Sequence, residues 1–79
     1  MIEFENLKRN YVLTIQFGLA SNTGYNETKH GNDVIHKFCE QLVENSNYHD
    51  EAKRKMKHEL ELLKEALSKE IENHYKKGI

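Results

Sequence analysis

The chain has no proline, so nothing in its composition forces a break in a long helix. A single cysteine, Cys39, excludes an intrachain disulfide and fits a reducing compartment. No apolar run approaches the roughly 20 residues that cross a bilayer. The opening "MIEFENLKRN" lacks the apolar core of a secretory signal. The expected location is cytoplasmic, with no membrane partner. A basic excess is also missing. At a net charge of −1, general nucleic-acid binding is not expected.

Motifs of common chemistries are missing too. There is no GxxxxGK[ST] to cradle a phosphate, and "KHELELL" lacks the second histidine of HExxH. Ser21, Ser46 and Ser68 stand outside any Gly-x-Ser-x-Gly setting. His36 and Cys39 share one helical turn with Glu40 nearby, but a zinc site needs further ligands. Cys39 sits in an apolar stripe, where a free cysteine usually acts as a small buried hydrophobe. These residues predict no enzyme, no cofactor and no metal.

What is present is charge and helical periodicity. The 79 residues are 37% hydrophobic and 32% charged, which is polar for one self-contained domain spanning residues 1–79. Small polar chains gain stability from metals, disulfides or self-association, and the last predicts a homo-oligomer. Lysine outnumbers arginine ten to two and there are eight asparagines, a bias of low-GC genomes such as those of many Gram-positive bacteria or their phages.

From Tyr48 to Lys77, Ala52, Met56, Leu60, Leu63, Leu67, Ile71 and Tyr75 recur every three or four residues, one apolar stripe along a long helix. Asn47 is the expected N-cap, Asp50 and Glu51 complement the helix dipole, and Lys76, Lys77 and Gly78 mark the end. Glu51–Lys55, Glu65–Lys69 and Glu72–Lys76 are favourable i,i+4 pairs. Upstream, Val34, Ile35, Phe38, Cys39, Leu42 and Val43 predict a second amphipathic helix, with His36, Lys37, Glu40, Gln41 and Glu44 on its wet face. The link "ENSN" joins the two as an αα-hairpin.

The N-terminal segment allows two readings. Alternation of Tyr11, Leu13, Ile15, Phe17 and Leu19 suits a strand or hairpin. Helical spacing puts Phe4, Leu7, Tyr11, Ile15 and Leu19 on one face, with Leu13 and Phe17 on another. The helix, from about Glu3 to Ala20, is preferred because an isolated two-stranded hairpin is marginal. A helix apolar on two sides must be covered on two sides, which again points to self-association. The expected fold is all-α: an N-terminal helix, then a hairpin with a long last helix.

"SNTGYNETKHGND", residues 21–33, is the unusual stretch. As one loop it would be long enough to suggest function. Alternatively Asn26 caps a helix starting at Glu27, and Gly31 joins Ile35 and Phe38 on the buried face, allowing close approach of another helix. Ser21, Asn22, Thr23 and Tyr25 then offer polar groups and a stacking ring, and Lys29 and His30 offer cationic donors. Lys53, Arg54 and Lys57 belong to the chain's one basic cluster and are candidate anion contacts. The resulting expectation is an oligomer that captures a small anionic or nucleotide-like ligand, with phage-type sequestering proteins as a functional analogy only. The alternative is an inhibitor or regulator that docks a helical face onto a host protein.

Overall fold

A computed structural model describes residues 3–76 as three helices: α1 (Phe4–Ala20), α2 (Tyr25–Glu44) and α3 (Asp50–Lys76). Lys77 and Gly78, read as C-terminal signals, lie outside the described residues. The N-terminal segment is helical throughout. Tyr11, Ile15 and Leu19 are buried, while Leu13 and Phe17, their partners in the strand reading, are exposed. That split follows a period of 3.6 rather than 2. α3 packs chiefly on α2, giving the hairpin, and α1 lies across both. The rod measures 46 × 17 × 17 Å, and its length is close to that of α3.

Phe4, Tyr11, Ile15 and Leu19 of α1 meet Cys39 and Val43 of α2 and Leu60, Leu67 and Ile71 of α3 in one core. Leu60 is fully buried, and burial of such a side chain stabilises by about 1.5–3 kcal/mol. The predicted α3 stripe is present, with Ala52, Met56, Leu63 and Tyr75 half-buried along its edges. Two details differ. The helix starts at Asp50, not after Asn47, because residues 46–48 bend first and the His49 carbonyl accepts the first helical amide, from Lys53. Of the three predicted ion pairs only Glu51–Lys55 lies within range, at 3.9 Å. Glu72 instead accepts the Tyr25 hydroxyl.

α2 is rolled relative to expectation. Its buried arc is Thr28, Asn32, His36, Cys39 and Val43, so His36 belongs to the interior and not to the wet face. Val34 and Phe38, expected inside, are 50% and 59% exposed. The cause is polar pairing across the three helices. The Tyr11 hydroxyl donates to Asn32 Oδ1 and lies 3.2 Å from the Asn32 carbonyl. Asn32 Nδ2 donates to Ser68 Oγ at 3.1 Å and to the Lys64 carbonyl at 3.2 Å. A buried amide with its partners satisfied can occupy a core. Burial pushes the Tyr11 hydroxyl well above the ordinary tyrosine range, so it remains the donor.

The polar stretch is mostly a joint. Asn22 adopts a left-handed conformation (φ 56°), and the amides of Asn22 and Thr23 return to the carbonyls of Leu19 and Gly18. This paired 5→2 and 6→1 pattern closes the end of α1. Gly24, at φ 118°, then starts α2, which therefore begins at Tyr25 rather than after Asn26. Few side chains tolerate that φ. The Gly24 carbonyl accepts both the amide and the hydroxyl of Thr28, at 3.0 and 2.7 Å.

Gly31 was expected to permit close helix packing. Within the chain it does not: a methyl group placed there would meet nothing within 4 Å. Gly31→Ala is therefore expected to raise monomer stability by about 0.5–1 kcal/mol, through helix propensity alone. Chemical denaturation checks this, and a loss of stability would show a packing role that the geometry lacks.

Candidate interaction surface

The residues first read as a ligand site do not converge. Ser21, Asn22 and Thr23 are exposed around the cap of α1, and the Thr23 hydroxyl lies 3.2 Å from the Gly18 carbonyl. The Tyr25 ring is half-buried, 5.8 Å from Tyr75 in an edge-to-face pair. Tyr75 is committed as well. Its hydroxyl accepts the Gly24 amide at 3.0 Å and lies 3.2 Å from Thr28 Oγ, whose proton goes to Gly24. Lys29 Nζ stands 5.5 Å from the centre of the Tyr25 ring, and His30 is exposed. The nearby cavity, about 280 Å³, is lined by Tyr25, Glu72, Tyr75 and Lys76. Of the proposed contacts it includes only Tyr25, and a carboxylate on its wall opposes an anion.

The basic cluster also divides. Lys53 Nζ donates to the Glu44 carbonyl at 2.8 Å, and Lys57 pairs with the Glu44 carboxylate, so both close the end of α2. Arg54 faces elsewhere and, with Lys55, His58 and Glu59, lines an open recess of about 650 Å³. The Lys57 ammonium holds the Glu44 carboxyl below its ordinary range, chiefly by hydrogen bonding. A carboxyl lowered in the folded state supports folding above its unfolded pKa, and that support fades as pH falls through the folded value. Lys57→Ala should return Glu44 to the ordinary carboxylate range in an NMR titration. An unmoved Glu44 midpoint would mean that the pair is not formed in solution. The Glu44 side chain is about half exposed, so the effect should shrink with salt.

The most continuous unusual surface lies elsewhere. Residues 10–26 contain no Asp, Glu, Lys, Arg or His, in a chain where 32% of residues are charged. The outward arc of α1 presents Asn10, Leu13, Thr14 and Phe17, with Leu13 53% and Phe17 74% exposed. The adjoining arc of α2 presents Gly31, Val34, Ile35, Phe38 and Leu42. Between the helices, Thr14, Gly18, Thr23, Gly31 and Ile35 line an open cleft of about 130 Å³, with Glu27 also on its wall. An apolar cavity of about 150 Å³ admits one benzene ring. The face thus carries both projecting rings and a recess of about one ring's volume. No family model, characterised protein or solved structure matches this chain.

The signal for this face was present in the sequence as the second apolar side of α1. The α2 half was hidden, because Val34 and Phe38 read as core until Thr28, Asn32 and His36 are seen to occupy the interior. Cys39 is buried, and burial pushes its thiol above the ordinary cysteine range, which suits packing rather than nucleophilic chemistry. No helix among the described residues is long and apolar enough to cross a membrane.

Proposed function

We propose that this chain is a non-enzymatic binding protein whose working surface is the largely apolar α1–α2 face, and that a second copy of the chain occupies it. The observation that carries the reading is the grouping of Leu13, Phe17, Val34 and Phe38, each at least half exposed, on adjoining arcs beside the cleft. Contiguous exposed apolar surface of this kind marks interaction sites. A second copy suits it because rings and recess lie on the same face, as a two-fold interface requires.

Sedimentation velocity across a concentration series tests this. The expected result is a monomer–dimer equilibrium that Gly31→Ala weakens while stabilising the monomer, because the new methyl occupies part of the cleft. A chain that stays monomeric to high concentration would overturn the reading. A face that binds a host protein instead would also leave it monomeric, and would regain its target only with the unmodified rings.

A second reading, capture of a small anion, rests on Arg54 and His58. Both line the 650 Å³ recess beside Lys55, neither has an ion pair among the described residues, and the one carboxylate on its wall, Glu59, is paired with Lys8 at 3.3 Å. This reading keeps Arg54 of the expected anion contacts and adds His58, its neighbour in the same basic cluster. Thermal-shift screening with nucleotides and inorganic phosphate checks it, with Arg54→Ala expected to remove any rise in melting temperature.

A further inference from the structure

We propose that His36, Glu40 and Glu61 form a site for one divalent transition-metal ion at the seam of α2 and α3. His36 Nε2 lies 3.4 Å from Glu40 Oε1 and 3.5 Å from Glu61 Oε1. One ligand atom from each residue falls within 4.8 Å of the others. Glu40 follows His36 by one helical turn, and Glu61 comes from the facing helix.

The spacing decides between two accounts of this cluster. A charge-assisted N–H···O bond is about 2.7–2.9 Å long, and both contacts are well beyond it. Zinc bound at about 2.0–2.2 Å in tetrahedral geometry holds its ligands about 3.3–3.6 Å apart. The two separations from His36 Nε2 fall within that range, and the Glu40 and Glu61 oxygens lie within 4.8 Å of each other. The His36 side chain is 96% buried and its Nδ1 has no hydrogen-bond partner, so the ring's only polar approach is Nε2 toward the two carboxylates.

Charge balance adds a second argument. Along the same seam, Asp33 has Lys64 at 3.1 Å and Glu44 has Lys57. Glu40 and Glu61 have neither lysine nor arginine within ion-pair distance among the described residues. Two carboxylates converge on one imidazole with no lysine or arginine between them. A dication supplies it.

One imidazole and two carboxylates suit zinc or another first-row divalent ion better than magnesium or calcium, which prefer all-oxygen sets. Cys39, the sequence-level partner of His36, is not part of the cluster. Glu40 and Glu61 are 34% and 57% exposed, so the remaining coordination position opens to water. No acceptor stands behind Nδ1, which lowers the affinity relative to sites with that second support by about 10–100-fold.

The test is calorimetric titration of the full chain with zinc chloride near neutral pH, followed by long-range ¹H–¹⁵N spectra of the histidine rings. The expected result is one ion per chain, a zinc-dependent shift at His36 Nε2, and at least about tenfold weaker binding in Glu61→Gln. Glu61 is exposed, so this variant keeps its fold, which circular dichroism verifies. Zinc shifts confined to His30, His49, His58 or His74 would overturn the site. So would equal affinity in Glu61→Gln, or no binding tighter than about 1 mM. A protonated His36 acting as the bridging cation would appear as metal-independent spectra, which also counts against it.

Discussion

Asn32→Ala is expected to destabilise the monomer by about 2–4 kcal/mol, from lost hydrogen bonds and the void together. Asn32 joins all three helices, through Tyr11 on α1 and through Ser68 and the Lys64 carbonyl on α3. Truncation removes the Oδ1 acceptor of a tyrosine hydroxyl whose residue is 1% exposed, leaving it only the backbone carbonyl of position 32 at 3.2 Å. A chain of this size has a total stability near 4–12 kcal/mol on average per-residue values, so the loss is a large share. For domains this small, each kcal/mol moves the melting midpoint by about 4–8 °C, and a drop of at least ~8 °C is expected. Tyr11→Phe should cost about 1–2 kcal/mol, because Asn32 Oδ1 then loses its donor. The double variant Tyr11→Phe/Asn32→Ala should cost less than the two singles added, since each removes the other's orphan. Simple additivity, or an Asn32→Ala loss under ~0.5 kcal/mol by denaturant titration, would mean that the pairing does not set the roll of α2.

Phe17→Glu combined with Phe38→Glu is the second large effect. Both side chains are mostly exposed in the monomer, at 74% and 59%, so folding should be little changed. Self-association should weaken at least about a hundredfold, as expected when buried aromatic anchors worth ≥ 2 kcal/mol are replaced by charge in an interface. Leu62→Glu is the control. Leu62 is 52% exposed but lies on α3, away from the face. Equal dissociation constants for the double variant and Leu62→Glu, by sedimentation equilibrium, would place the interface elsewhere. The two predictions are separable: Asn32→Ala changes the fold at any concentration, and the charged rings change only concentration-dependent behaviour.

The helices themselves were legible because periodicity is a local property. Tyr11, Ile15 and Leu19 fit one helical arc, and the Leu60, Leu67, Ile71 spacing allows no other reading. Boundaries were less so. Asn26 and Asn47 are good caps by type, yet the helices begin at Tyr25 and Asp50. Gly24 took the first start because its φ of 118° suits a glycine and Thr28 could fold back onto its carbonyl. The polar stretch lost most of its ligand reading for the same reason. The Thr23 hydroxyl turns back to the α1 cap, and the Gly24 amide and Tyr25 hydroxyl go to Tyr75 and Glu72, some 47 to 51 residues away in sequence. His36 was misread because an apolar stripe beside it outscored one imidazole, and Glu61 could not be paired with it from spacing alone.

The sequence by itself determined three amphipathic helices, their order, the hairpin and the core stripe of α3, since each depends on residues within a few turns. Only the tertiary structure decided how α2 is rolled about its axis. That roll depends on whether Asn32 finds Tyr11 and Ser68 on two other helices, a match between distant residues that no local pattern contains. The roll in turn set Val34 and Phe38 outside beside Phe17, and brought His36 inside against Glu40 and Glu61.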